Sequence, residues 1–147
     1  MYNQLKKGYL GEIRQFVKSI DKNIHVGATN GGSCVCISIN TIYYDLDSDE
    51  VLLAKIMQEQ FNTQIPEPLL IILHEVGHIM THSDELQRER AILVSLMQGV
   101  YHFEPVQGNK IYMNIEAERV ATEWAISYYN SNKDKCDKLL EVIYEAE

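Results

Sequence analysis

His74-Glu75-Val76-Gly77-His78 is the stretch of this chain where residue type and spacing together specify a chemistry. On an α-helix, residues four apart stand one turn above one another, so His74 and His78 can turn their imidazoles toward a single metal ion. Glu75 lies one step round from His74. It can reach a water held by such an ion without binding the ion itself, which is the place of a general base. Two imidazoles leave a zinc ion short of protein ligands, so a third donor is sought elsewhere in the chain.

Glu118 is the expected third ligand. In the stretch 115–125, Glu118, Ala121, Thr122 and Ala125 share one helical face. Small residues beside one carboxylate let that helix come close to the motif helix while the glutamate reaches the ion; Glu116 and Glu123 project elsewhere. His82 lies on the same face as His78, but in a straight helix it sits about 6 Å further along the axis, too far to share an ion with His74. Asp84 is the alternative, because metzincin-type sequences carry their third ligand ten residues after the first histidine. Those sequences need a turning glycine where this chain has Thr81, and Asp84 with Gln87 reads instead as a capping box.

The motif needs a helix to hold it. Leu69, Ile72, Leu73, Val76, Ile79 and Met80 recur at helical spacing and predict an apolar stripe, and Pro66 and Pro68 suit a first turn. Around it, 2–20 reads as an amphipathic helix and 24–27 as a short strand. Thr29-Asn30-Gly31-Gly32 reads as a hairpin turn, and 34–44 as the clearest strand, β-branched and alternating. The acidic link 45–50 offers Ser48 or Asp49 as a cap for a helix over 51–61. A support helix over 84–99 is charged at Glu85, Arg88, Glu89 and Arg90, and apolar at Ala91, Ile92, Val94, Leu96 and Met97. Residues 101–113 read as a hairpin or irregular excursion that could bring His102 or Glu104 to the metal. Asn114 is placed to cap the Glu118 helix, and 133–146 forms a last amphipathic helix.

The expected fold is therefore α+β, a single domain over 1–147. It is mostly helical, with a small mixed or antiparallel sheet beside the motif helix. A chain of 147 residues, 46% hydrophobic and 23% charged, suits one such domain. No apolar run approaches the roughly 20 residues of a membrane span. Lys6 and Lys7 are not followed by the apolar block and small-residue site of a secretory signal, so the cytoplasm is the expected location. A net charge of −8 argues against direct nucleic-acid binding. Cys34, Cys36 and Cys136 are read as reduced thiols, the first two as ordinary strand residues.

His74-Glu75-Val76-Gly77-His78-Ile79-Met80-Thr81-His82 resembles the HE(I/L)GHxxxH run of the ImmA/IrrE metallopeptidases. Glu118-Arg119-Val120-Ala121-Thr122-Glu123-Trp124-Ala125 resembles their downstream E-x-x-A-(N/D)-x-(F/W)-A helix, with Thr122 standing where Asn or Asp is usual. Cys36-Ile37-Ser38-Ile39-Asn40 is similar to the family's strand ending in Asn. The resemblance covers about 24–126 and implies a zincin-like domain with that stretch as its core, and zinc held by His74, His78 and Glu118 with Glu75 as base, as in gluzincin peptidases. It also implies a protein substrate, such as a helix-turn-helix repressor of a mobile element or phage. Tyr43, Tyr44, His82, His102 and Tyr112 are candidates to steady the oxyanion, and the strand 34–44 is expected to pair with an extended peptide. The alternative function is a non-catalytic metal-bearing protein that acts by binding a repressor partner.

Overall fold

Pro66 and Pro68 open the helix that carries the motif. Pro66 caps it with φ −59° and ψ 150°, and Pro68 falls in the first turn, where an amide N–H would have no partner in any case. The computed structural model describes residues 9–29, 32–45, 51–98 and 104–144. In chain order the elements are α1 (Leu10–Ile20), β1 (His25–Ala28), β2 (Cys34–Cys36), a 3-10 turn (Ile37–Ile39), β3 (Thr41–Tyr44), α2 (Val51–Gln60), the motif helix α3 (Glu67–Met80), α4 (Asp84–Leu96), α5 (Pro105–Met113), α6 (Glu116–Ser131) and α7 (Lys133–Tyr144). The architecture is α+β, mostly helical with a small mixed sheet beside α3, as expected.

Every residue from Pro68 to His78 is buried. The stripe read from Leu69 to Met80 therefore understates the burial: Leu70 and Ile71, off the stripe, are buried, while Met80 is exposed. The sheet, α2 and α6 all pack against α3 and enclose it. Packed against β1, α1 contributes Ile13, Phe16 and Val17 to the core, and Arg14 Nε donates to Val26 O at 2.8 Å. The helix expected over 2–20 begins at Leu10, its first part lying outside the described residues.

The sheet corrects two expectations. The segment 34–44 is not one strand, because Ile37–Ile39 forms a 3-10 turn closed by Asn40 in the left-handed region at φ 47°. The chain reverses there, and Cys34, Val35 and Cys36 pair antiparallel with Tyr43, Ile42 and Thr41. Nor does the turn after β1 close a hairpin: β1 pairs parallel with β3, giving the order β1-β3-β2. Among the described residues β3 is thus central and closed to a peptide, whereas β2 is an edge. The start of β2 is pinned by Asp45, whose Oδ2 accepts from Gly32 N at 2.7 Å and whose N donates to Ser33 Oγ at 3.0 Å. Gly32 has φ +107°, a conformation that favours glycine.

Residues 105–113 also depart from expectation, forming helix α5 rather than a hairpin. Pro105 starts it, and Gly108 and Asn109, poor helix formers, are buried in its packed face. Asn109 Nδ2 donates back to Pro105 O at 2.9 Å. Asn114 does not cap α6: it ends α5, donating to Lys110 O and accepting from Gln60 Nε2. The N-cap of α6 is Ile115, without a side-chain bond, and Glu116 and Glu118 sit in the first turn, where negative charge is favoured. Ser83 rather than Asp84 caps α4, accepting from Leu86 N at 3.2 Å. The caps expected from Ser48 or Asp49 lie outside the described residues. Among those residues no helix is long and apolar enough to cross a membrane.

Candidate metal centre

The motif imidazoles come from the buried middle and end of α3, and the third donor from the first turn of α6. These helices meet where Gly77 faces Ala121, so their backbones lie close enough for a short carboxylate to reach both histidines. His74 Nε2 stands 2.9 Å from Glu118 Oε1, His78 Nε2 stands 3.0 Å from the same oxygen, and the two Nε2 atoms are 3.1 Å apart. The imidazole rings are nearly perpendicular, at 83°. All three residues are buried, Glu118 completely. The three sequence-predicted donors thus converge on one point.

Two partners of this trio have no role assigned to them by the motif reading. Thr122 Oγ1 lies 2.9 Å from His74 Nδ1 and 3.0 Å from Glu118 O. A carbonyl can only accept, so the hydroxyl gives its proton to Glu118 O and takes one from His74 Nδ1–H. That choice leaves Nε2 of a neutral His74 as a lone pair facing the cluster. Arg90, from α4, donates Nε to Glu118 Oε2 at 2.5 Å and Nη2 to Tyr112 Oη at 2.6 Å.

The donor set fits a cation. Lone pairs on a carboxylate and a neutral imidazole repel at these distances unless a proton or a metal ion lies between them. Tetrahedral zinc ligands at about 2.0–2.1 Å stand roughly 3.3 Å apart, so a triangle with sides of 2.9, 3.0 and 3.1 Å need open only slightly. Charge tells the same way. Burial pushes the Glu118 carboxyl up, but hydrogen bonds from His74 and His78 outweigh it and hold the group well below the usual carboxylate range. Burial pushes His74 down, and the bond and charge of Glu118 reverse this and raise it. Burial and the charge of Glu118 push the Tyr112 phenol up against the pull of Arg90, so Tyr112 stays protonated.

Glu75 borders the donors without joining them, its Oε1 lying 3.9 Å from His74 Nε2. With His78 it lines a cleft of about 430 Å³ whose other lining residues are Ser33, Cys34, Val35, Cys36 and Ile37 from around β2, and Gln87, Arg90 and Tyr112 from α4 and α5. Of the oxyanion candidates, Tyr112 lines this cleft, Tyr43, Tyr44 and His82 do not, and His102 lies outside the described residues. Asp84 is not brought to the site. Its side chain is 91% exposed and stands 3.6 Å from His82 Nε2. Glu104 is exposed as well.

Arg90 was placed by its sequence neighbours on a charged outer face, and the packing of α4 corrects this. Ile92 and Leu96, expected inside, are 59% and 76% exposed, while Gln87, Arg90, Val94 and Met97 turn inward. A fully buried carboxylate needs partners for both oxygens, and Arg90 supplies one of them. Its spacing of three from Gln87 and four from Val94 was the available signal. Comparison of the chain with protein-family models, curated proteins and solved structures finds no match.

Proposed function

We propose that the chain is a zinc-dependent endopeptidase of the ImmA/IrrE kind its motif resembles, acting in the cytoplasm on a regulatory protein such as a helix-turn-helix repressor of a mobile element or phage. The observation that carries this reading is the convergence of His74 Nε2, His78 Nε2 and Glu118 Oε1 in a buried cluster, with Glu75 beside it and lining a cleft. Zinc held by those atoms would supply a Lewis acid that polarises the scissile carbonyl and makes water acidic enough to deprotonate near neutral pH.

The protein's own groups do the rest. Glu75 takes the proton of the attacking water and returns one to the leaving amine. Thr122 and Arg90 hold His74 and Glu118 in their orientations. Tyr112, protonated and on the cleft wall, is positioned to donate to the carbonyl oxygen of a substrate. β2, an edge strand whose residues line the cleft, offers an extended peptide a place as a fourth strand. The acidic chain, of net charge −8, suits contact with a protein rather than directly with nucleic acid.

The test is elemental analysis of the purified protein, followed by hydrolysis of a mixed peptide library with and without chelator. Zinc near one equivalent and chelator-sensitive cleavage are expected, with Glu75→Gln keeping the zinc and losing cleavage about 10²–10⁴-fold. Absence of zinc, or cleavage undiminished in Glu75→Gln, would overturn the reading. Zinc without any cleavage would favour the non-catalytic regulator.

A further inference from the structure

Glu118 meets the histidines with one oxygen and Arg90 with the other. Oε1 lies 2.9 and 3.0 Å from the two imidazole nitrogens, and Oε2 accepts from Arg90 Nε at 2.5 Å. The guanidinium is itself fixed at its far end, where Nη2 reaches Tyr112 Oη at 2.6 Å and the guanidinium carbon stands 5.5 Å from the Tyr112 ring centroid. One arginine on α4 therefore ties together a cleft-wall residue of α5 and the buried carboxylate of α6.

We propose that Arg90 is the positioning residue of the centre: it confines Glu118 to binding a metal through Oε1 alone. The inference rests on reading His74, His78 and Glu118 as the metal donors. A carboxylate can bind an ion through one oxygen or two, and two would fill the position that a hydrolytic site keeps open. With Oε2 accepting from a charged donor, the second mode requires breaking an ion pair whose carboxylate is fully buried and whose guanidinium is partly buried. The planar fork suits this task, because Nε and Nη2 address two acceptors from one rigid group. A lysine in its place would bring a point charge that could not hold both. The role is geometric, and it predicts that loss of Arg90 weakens metal binding. A purely electrostatic role predicts the opposite, since removing a positive charge beside the ion would tighten it.

The test measures zinc affinity of the full chain by competition with a chromophoric chelator, and the visible absorption of the cobalt(II)-loaded protein. Arg90→Gln is expected to bind zinc about 10–100-fold more weakly. Its cobalt bands should lose intensity as Glu118 binds through both oxygens and the coordination number rises. Arg90→Lys should fall between Arg90→Gln and the parent. A folded Arg90→Gln with parental or tighter affinity and unchanged cobalt bands would overturn the proposal. If that variant does not fold by circular dichroism, Arg90→Lys is held to the same criterion. A crystal structure of the zinc-loaded parent, free of any substitution, should show Glu118 bound through Oε1 with Arg90 on Oε2, and binding through both oxygens would overturn the proposal. A parent that takes up neither metal overturns this inference together with the reading beneath it, whereas normal uptake with unaffected variants overturns this inference alone.

Discussion

A Cβ added at Gly77 would stand 2.3 Å from Ala121 O and 3.0 Å from Ala121 C and Cα. These are backbone atoms, which cannot swing aside as a side-chain tip does, so the contact fixes how close α3 and α6 lie at the metal donors. Alanine is the better helix former by about 1 kcal/mol, and on propensity alone Gly77→Ala would stabilise. The clash is expected to win, lowering stability by about 1–3 kcal/mol and zinc affinity more than tenfold as α6 carries Glu118 away. Urea unfolding of the metal-free protein and zinc competition measure the two effects. A variant as stable as the parent would mean that the helices are further apart.

Thr122→Val keeps the shape of the side chain and removes the hydroxyl that accepts from His74 Nδ1. The imidazole N–H is then left buried without its partner, at a cost of about 1–3 kcal/mol. Loss of the tautomer control lowers zinc affinity by about 10–100-fold. Thr122→Ser, which restores the hydroxyl, is expected to recover most of the affinity. Equal affinities for the valine and serine variants would remove the hydroxyl from the account.

The histidine pair and Glu118 were legible because helix geometry alone puts residues four apart on one face and gathers Glu118, Ala121, Thr122 and Ala125 on another. Thr122 reads as a small residue and as a departure from the usual Asn or Asp of the similar motif, since nothing local says that His74 Nδ1 will lie against it. Arg90 was hidden by its charged neighbours. Which side of α4 turns inward is decided by a carboxylate 28 residues away, and Ile92 and Leu96 gave the contrary signal. The alternation over 34–44 continued through a chain reversal, because the left-handed Asn40 leaves no mark on a period of two. Helix α5 was hidden for a related reason, Gly108 and Asn109 being turn formers that burial and a bond to Pro105 keep in a helix.

Titration separates the metal-free from the metal-bound state. Glu118 is held below its ordinary value of 4.5, so its contribution to stability is present above that pH and lost as pH falls through the lower folded value. His74 is raised above its ordinary 6.5. Its contribution is present below pH 6.5 and lost as pH rises through the folded value. The metal-free protein is therefore expected to be most stable between pH 4.5 and 6.5, and its Tm should fall as pH is raised above 6.5. Zinc binds deprotonated imidazole, so the gain in Tm on adding zinc should grow over the same window. Thermal unfolding across this range, with chelator and with excess zinc, tests both trends. A metal-free Tm that does not change above pH 6.5 would show that His74 carries no extra proton in the pair.

The three thiols should separate by reactivity. Cys136 is buried against the core, and burial, with Asp137 nearby, pushes its thiol from 9.0 up to about 11. Only about one molecule in a thousand would then carry the reactive thiolate at a pH near 8, and access requires α7 to open. Cys34 is exposed and Cys36 half-buried, and both line the cleft beside Glu75 and His78. Iodoacetamide at a pH near 8 is expected to add two labels to the native protein and the third only on unfolding, as intact-mass spectrometry would show. Because both labelled residues line the cleft, peptide hydrolysis should fall about tenfold or more with zinc content unchanged, through exclusion of substrate rather than loss of the ion. Full hydrolysis in the doubly labelled protein would move the path of the substrate away from β2. A third label on the native protein would mean that α7 opens readily enough to expose Cys136.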